Sequence, residues 1–129
     1  MYIVIAGGGG VGQSLARALI AHKHDVVVVE QDRSVCEGIA ARTGALVRVG
    51  NATDIDVLEE AGLNKADVAA AVTPHDADNL AFAVLARYFG VPRVIARMRN
   101  EKYEAAYQTA GVTKIINVVD LFVNQLALE

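Results

Sequence analysis

The sequence predicts an α/β fold built on a doubly wound parallel sheet, and three observations predict it. Short β-branched runs alternate with helix-period segments along the whole of the 129 residues, the rhythm of a parallel sheet covered by helices. Three of those runs, the first, second and fourth, are nearly all apolar, as strands buried on both faces must be. Glycine closes the intervening helical segments. The expectation is one domain over residues 1–129, with six strands and helices on both faces of the sheet. An apolar content of 53% is enough to give a chain of this length a real core.

The strands are expected at residues 2–6, 26–29, 45–49, 68–72, 93–97 and 114–117. In the first helix Val11, Leu15, Ala18 and Leu19 share a face. The second runs from Arg33 to Thr43 and stops at Gly44; the third runs from Asp54 to Ala61, ahead of Gly62. Asp76, following Thr73-Pro74, is the expected N-cap of the fourth, which carries Leu80, Ala83, Val84 and Tyr88 and ends at Gly90 before Pro92. The fifth covers Glu101 to Ala110. The last segment, 118–129, reads as a helix apolar almost all round, with a polar stripe of only Asp120, Asn124 and Gln125. Packing on the sheet and contact with a partner are both open covers for it.

Composition excludes several classes of function. A net charge of −3 carries no basic field for a nucleic acid. The lone Cys36 can form neither an internal disulfide nor a cysteine zinc site, fits a reducing cytoplasm, and reads as a packing residue. No apolar run approaches the ~20 residues of a membrane helix and no leader is evident, so neither secretion nor membrane insertion is expected. His22 and His24 lie at the end of the first helix, where positive charge suits the dipole, and His75 lies in a loop. No metal-ligand spacing and no Ser-His-Asp or Cys-His arrangement emerges, so no catalytic residue is assigned.

The glycine run at the first strand–helix junction carries the chemistry. Within Ala6-Gly-Gly-Gly-Gly-Val-Gly12 the G-x-G-x-x-G register fits only Gly7, Gly9 and Gly12. These serve the tight turn, the close approach of a pyrophosphate and the packing of helix on strand; the helix opening at Gly10 and Val11 presents free N–H groups to phosphate. That is the dinucleotide-binding Rossmann pattern, with strand order 3-2-1-4-5-6. Glu30 ends the second strand about 20 residues on, where an acid accepts hydrogen bonds from ribose hydroxyls and repels a 2′-phosphate. NAD(H) or an unsubstituted adenosine phosphate is therefore favoured over NADP. Asp32 is assigned as the N-cap of the second helix. A P-loop is excluded because Gln13-Ser14 stands where Lys-Ser/Thr is required. Open α/β sheets bind ligands beyond the carboxyl ends of their strands, which adds the residues at 50–53, 73–76 and 97–99. For Arg97 a phosphate contact and a surface ion pair are both open; Arg99 is assigned to a pair with Glu101 or Glu104.

Taken together, these segments resemble the N-terminal lobe, of TrkA-N type, of the RCK/KTN family, which regulates Trk and Ktr potassium uptake and ligand-gated potassium channels. The resemblance is carried by residues 5–12, 28–32, Gly50-Asn-Ala-Thr-Asp54, Leu58-Glu-Glu-Ala-Gly62, 66–73 with Asp76 and Asn79, and Ile95-Ala-Arg-Met-Arg99. It implies NAD(H), ATP, ADP or AMP at the glycine loop, Glu30 on the ribose, residues 50–53 near the adenine, and Thr73 and Arg97 by the phosphates. The candidate ligand-binding residues are therefore Gly7, Gly9, Gly10, Val11, Gly12, Glu30, Gln31, Asn51, Ala52, Thr73 and Arg97. Also implied are homo-oligomeric lobes, dimers or rings, with the terminal helix at the lobe contact. They would lie in the cytoplasm at the inner face of the membrane and control a potassium transporter or channel by a ligand-dependent change of shape. Two departures stand out: Asn51 replaces the family's usual Asp, and the family's C-terminal lobe has no counterpart in these residues. Part of a small NAD-linked oxidoreductase, or an oligomerisation module with a vestigial pocket, are the competing readings.

Overall fold

The computed structural model describes residues 1–126, so the expected extension of the last helix over 127–129 lies outside the described residues. The elements alternate in order: β1 (Tyr2–Ala6), α1 (Gly10–Ala21), β2 (Asp25–Glu30), α2 (Arg33–Thr43), β3 (Leu46–Val49), α3 (Ile55–Glu60), β4 (Val68–Ala71), α4 (Asp76–Tyr88), β5 (Arg93–Arg97), α5 (Glu104–Thr109), β6 (Lys114–Ile116) and α6 (Val118–Leu126). The six strands form one sheet in the order β3-β2-β1-β4-β5-β6, every pair parallel, as the sequence predicts.

Alternation along the strands divides the core in two. Ile3, Ile5, Val26 and Val28 face Ala16 of α1 and Ile39 of α2. Val4, Ala6, Val27 and Val29 face the other layer, where Leu58, Phe82, Ala83, Ala86 and Tyr107 from α3, α4 and α5 close over them. The second layer has three helices and the first only two. An apolar groove of about 410 Å³ therefore remains on the first face, lined by Ile3, Leu15, Leu19, Ala70, Ile95 and Ile116 among others.

Several boundaries differ from expectation for local reasons. Ala45 precedes β3 because its N–H donates to Thr43 Oγ1 instead of to a strand partner. Asn117 follows β6 and caps α6, its Oδ1 accepting from the N–H groups of Val119 and Asp120. Asp32 caps α2 as assigned, whereas the N-cap position of α4 is His75, which makes no side-chain cap bond, and not Asp76. The Asp76 carboxylate instead accepts from the backbone N–H groups of Arg99 (2.9 Å) and Asn100 (2.8 Å), two donors at the exit of β5 that have no strand partner. The fifth helical segment begins with a 3₁₀ turn over Glu101–Tyr103. None of the residues of α6 is buried, and Phe122 is 65% exposed. In the single chain the sheet does not cover this helix.

Candidate functional site

A cleft of about 450 Å³ crosses the carboxyl ends of β3, β2, β1, β4 and β5, where an open α/β sheet leaves room for a ligand. Gly7, Gly9, Gly10, Val11, Glu30, Gln31, Asn51, Ala52, Thr73 and Arg97 all line it. Gly12, the remaining candidate, lies buried beneath the loop.

The glycines act in different ways. Gly7 has φ +112°, a conformation that side chains rarely tolerate. At Gly12 an added Cβ would lie 1.9 Å from the Gly7 carbonyl oxygen, so the third glycine is required by the packing of α1 on the loop. At Gly9 the φ is −74° and an added Cβ would meet no protein atom within 4 Å. The fold therefore leaves the Gly9 position to whatever occupies the cleft. Gly8, an unspecified position in the motif, is closely confined as well: its Cβ would fall 2.6 Å from Ile39 Cδ1 and 3.0 Å from Glu30 Cβ. The first bond within α1 runs from Gln13 N–H to the Gly9 carbonyl. The N–H groups of Gly10, Val11 and Gly12 are thus left at the positive end of the helix dipole.

Glu30 is fixed by the backbone around it. Its Oε1 accepts from Gly8 N–H and its Oε2 from Asp32 N–H, each at 2.8 Å. Both oxygens keep lone pairs for further donors, and the carboxylate needs no rotamer search to meet them. The Ser34 hydroxyl and the backbone of Val35 and Ser34 hold the Asp32 carboxyl below its ordinary range. Burial, and next the Glu30 charge, push the Cys36 thiol up; its Sγ–H donates to the Glu30 carbonyl at 3.2 Å, in keeping with a packing residue.

Beyond β3, Asn51 Oδ1 accepts from both the N–H (2.9 Å) and the hydroxyl (2.7 Å) of Thr53. An Asp could make the same two bonds. What Asn changes is the second side-chain atom, which donates where a carboxylate would accept. At the opposite end, Thr73 and Arg97 leave β4 and β5 side by side. The Thr73 hydroxyl donates to Asn79 Oδ1 at 2.7 Å. Arg97 is half-buried, and its guanidinium makes no hydrogen bond or ion pair among the described residues, so the surface-pair reading is not realised. The assignment of Arg99 to Glu101 or Glu104 is also corrected: its Nη1 donates to the Pro74 carbonyl at 3.2 Å, reaching back over the α4 entrance.

Sequence reasoning missed Gly8, whose confinement comes from α2 and Glu30, and missed Asp78, which also lines the cleft, whereas His75 falls in the 73–76 stretch it did single out. It gave no role to Tyr107, a residue with no motif around it. Among the described residues, no three His, Cys, Asp or Glu side chains gather into a metal-binding group, and no helix is long and apolar enough to cross a membrane.

Comparison with known proteins places this geometry among relatives. Residues 3–118 match the model of the TrkA-N domain. A Trk system potassium uptake protein TrkA homolog from Methanothermobacter thermautotrophicus is 43% identical over 117 residues, covering 91% of this chain and 54% of the relative. The Trk system potassium uptake protein TrkA of Streptomyces coelicolor is 36% identical over 119 residues, covering 92% and 53%. The chain thus spans about half the length of these relatives. Among solved structures, the TrkA-N domain of the inner membrane protein ybaL from Escherichia coli superposes with a TM-score of 0.88 at 21% identity, over 97% of this chain and 93% of that one. The GsuK channel bound to NAD gives 0.80 at 23% identity, over 89% and 21%. These two likenesses speak for the fold. The AMP-bound Kef C-terminal domain of Shewanella denitrificans gives 0.79 at 25% identity, over 97% and 77%.

Proposed function

The chain belongs to the TrkA-N domain family, and from that premise we propose that it is a nucleotide-binding regulatory domain of a potassium-transport system. The observation that carries the reading is the single cleft joining the glycine-loop amides, a preset Glu30 and an unpaired Arg97 along one edge of the sheet. Strand order sets out the ligand. Neighbouring strands are about 4.8 Å apart, so the β3 loop lies about 10 Å from the glycine loop, roughly the reach from phosphate to base. The phosphates meet Gly9, Gly10 and Val11, the ribose hydroxyls meet Glu30, the base lies by Gln31, Asn51 and Ala52, and Thr73 and Arg97 face the far phosphate or whatever it carries. The solved relatives bound to NAD and AMP support adenine nucleotides as the ligand class. Glu30 favours an unphosphorylated ribose. The curated relatives are named as potassium uptake proteins, which supports binding over catalysis.

Control of transport requires that the ligand prefer one arrangement of the assembly. Val11, Val72 and Arg97 line both the cleft and the apolar groove, so an occupant of one touches the wall of the other. The groove lies at the start of α6, whose apolar side chains stay exposed. A second copy of the chain packed through α6, cytoplasmic and beneath a membrane transporter or channel, is the arrangement this surface suits. Thermal melting with AMP, ADP, ATP, NAD+ and NADH tests the first step. A ligand at a hundred times its Kd stabilises the fold by about 2.7 kcal/mol, roughly 10 °C in melting temperature for a domain of this size. If none of the five raises it, the proposal is lost.

A further inference from the structure

Two buried side chains that do not line the cleft tie together Thr73 and Arg97, the two residues at its β4–β5 end. Asn79 on α4 is 0% exposed. Its Oδ1 accepts from the N–H (3.1 Å) and hydroxyl (2.7 Å) of Thr73, and its Nδ2 donates to the carbonyls of Thr73 and Arg97, both at 3.0 Å. All four hydrogen bonds open to a carboxamide are spent on joining the exits of β4 and β5. Tyr107 on α5 is likewise 0% exposed; its hydroxyl lies 2.9 Å from the Arg97 carbonyl and 3.0 Å from Asp76 Oδ1. The same Asp76 carboxylate holds the N–H groups of Arg99 and Asn100. The Arg97 main chain is therefore gripped from two helices and through the turn that follows it, while its guanidinium is left unpaired among the described residues.

We propose that Asn79 and Tyr107 are positioning residues for the anionic end of the ligand. They fix the Arg97 backbone beside Thr73, so that the guanidinium meets a phosphoryl group without a search. The inference rests on the nucleotide reading given above and adds residues that touch neither ligand nor cleft. Its physical content is preorganisation. A fully satisfied buried network holds one geometry, and binding to a fixed arm does not incur the cost of ordering the loop that carries it. Burial and the Asp76 carboxylate push the Tyr107 phenol well above its ordinary range, so the hydroxyl stays protonated. The clamp acts by hydrogen bonding alone and does not titrate in the physiological range.

The test is a calorimetric comparison of adenosine with ADP, whose ratio of association constants isolates what the phosphates contribute. Tyr107→Phe is the informative variant. The ring remains, and Asn79 Nδ2 still serves the Arg97 carbonyl, so the fold should persist, as a melting curve will check. Asn79→Asp would set a carboxylate against two carbonyls and risks unfolding. Arg97→Ala should cut the ADP-to-adenosine ratio at least tenfold, the scale of a hydrogen bond to a charged group. Tyr107→Phe should cut it roughly threefold to tenfold, leave the affinity for adenosine within about twofold, and add nothing further on an Arg97→Ala background. Several results would overturn the inference alone: an unchanged ratio in either variant, an equal loss for adenosine and ADP in Tyr107→Phe, or effects that multiply in the double variant. Failure of ADP to bind the unmodified protein would overturn the nucleotide reading, and this inference with it.

Discussion

The two ends of the cleft are made in opposite ways. At the β1–β2 end the site is built by leaving atoms out, with Gly7 in a conformation closed to side chains, Gly8 pressed against Ile39 and Gly12 against the loop's own carbonyl. At the β4–β5 end it is built by filling every valence, with the Asn79, Asp76 and Tyr107 groups all committed to the strand exits. A side chain cannot be added without strain at Gly7, Gly8 or Gly12 of the first end, and a polar atom cannot be removed without loss at the second. The first lets main-chain N–H groups come close to a charge; the second sets a single long side chain in place.

The sharpest way to break this contrast is Gly12→Ala. A methyl group 1.9 Å from a backbone oxygen has nowhere to go, and the substitution should cost about 3 kcal/mol or more, visible as a lost or strongly lowered melting transition. Gly9→Val should act in the other sense. Its φ is open to any residue and its Cβ meets no protein atom, so the free protein should lose no more than about 1 kcal/mol at this helix N-cap. Adenine nucleotide binding should fall by roughly two orders of magnitude, as expected when a phosphate loses two charge-assisted hydrogen bonds; an unchanged Kd by calorimetry would put the phosphate elsewhere. Glu30→Gln is the gentlest. It turns one of two acceptors toward the N–H of Gly8 or Asp32, which should cost about 1–3 kcal/mol of stability. It should also narrow the preference for NAD over NADP roughly tenfold, because the repulsion of a 2′-phosphate is gone. A preference that holds in the variant would remove Glu30 from the selection of the ribose.

Much of the fold was legible because doubly buried strands announce themselves: Ile3 to Ala6 and Val26 to Val29 need apolar side chains on both faces. The loop was legible because its turn, approach and packing positions fall at fixed spacing. What escaped shares one cause. Local rules reach three or four residues along the chain, whereas the Asp76 carboxylate is claimed by N–H groups 23 and 24 residues away. Tyr107 meets the Arg97 carbonyl only because α5 folds back over β5. The Asp76 cap was a sound local expectation that lost to a long-range one. Gly8 reads as a free position until α2 brings Ile39 onto it.

The wall of Val11, Val72 and Arg97 between cleft and groove has a thermodynamic corollary. Free-energy coupling between two sites is reciprocal: whatever factor a bound nucleotide applies to occupancy of the groove, occupancy of the groove applies to nucleotide affinity. If the occupant is α6 of a second copy, that factor appears as an apparent Kd that drifts with protein concentration. Dilution then becomes an effector in its own right.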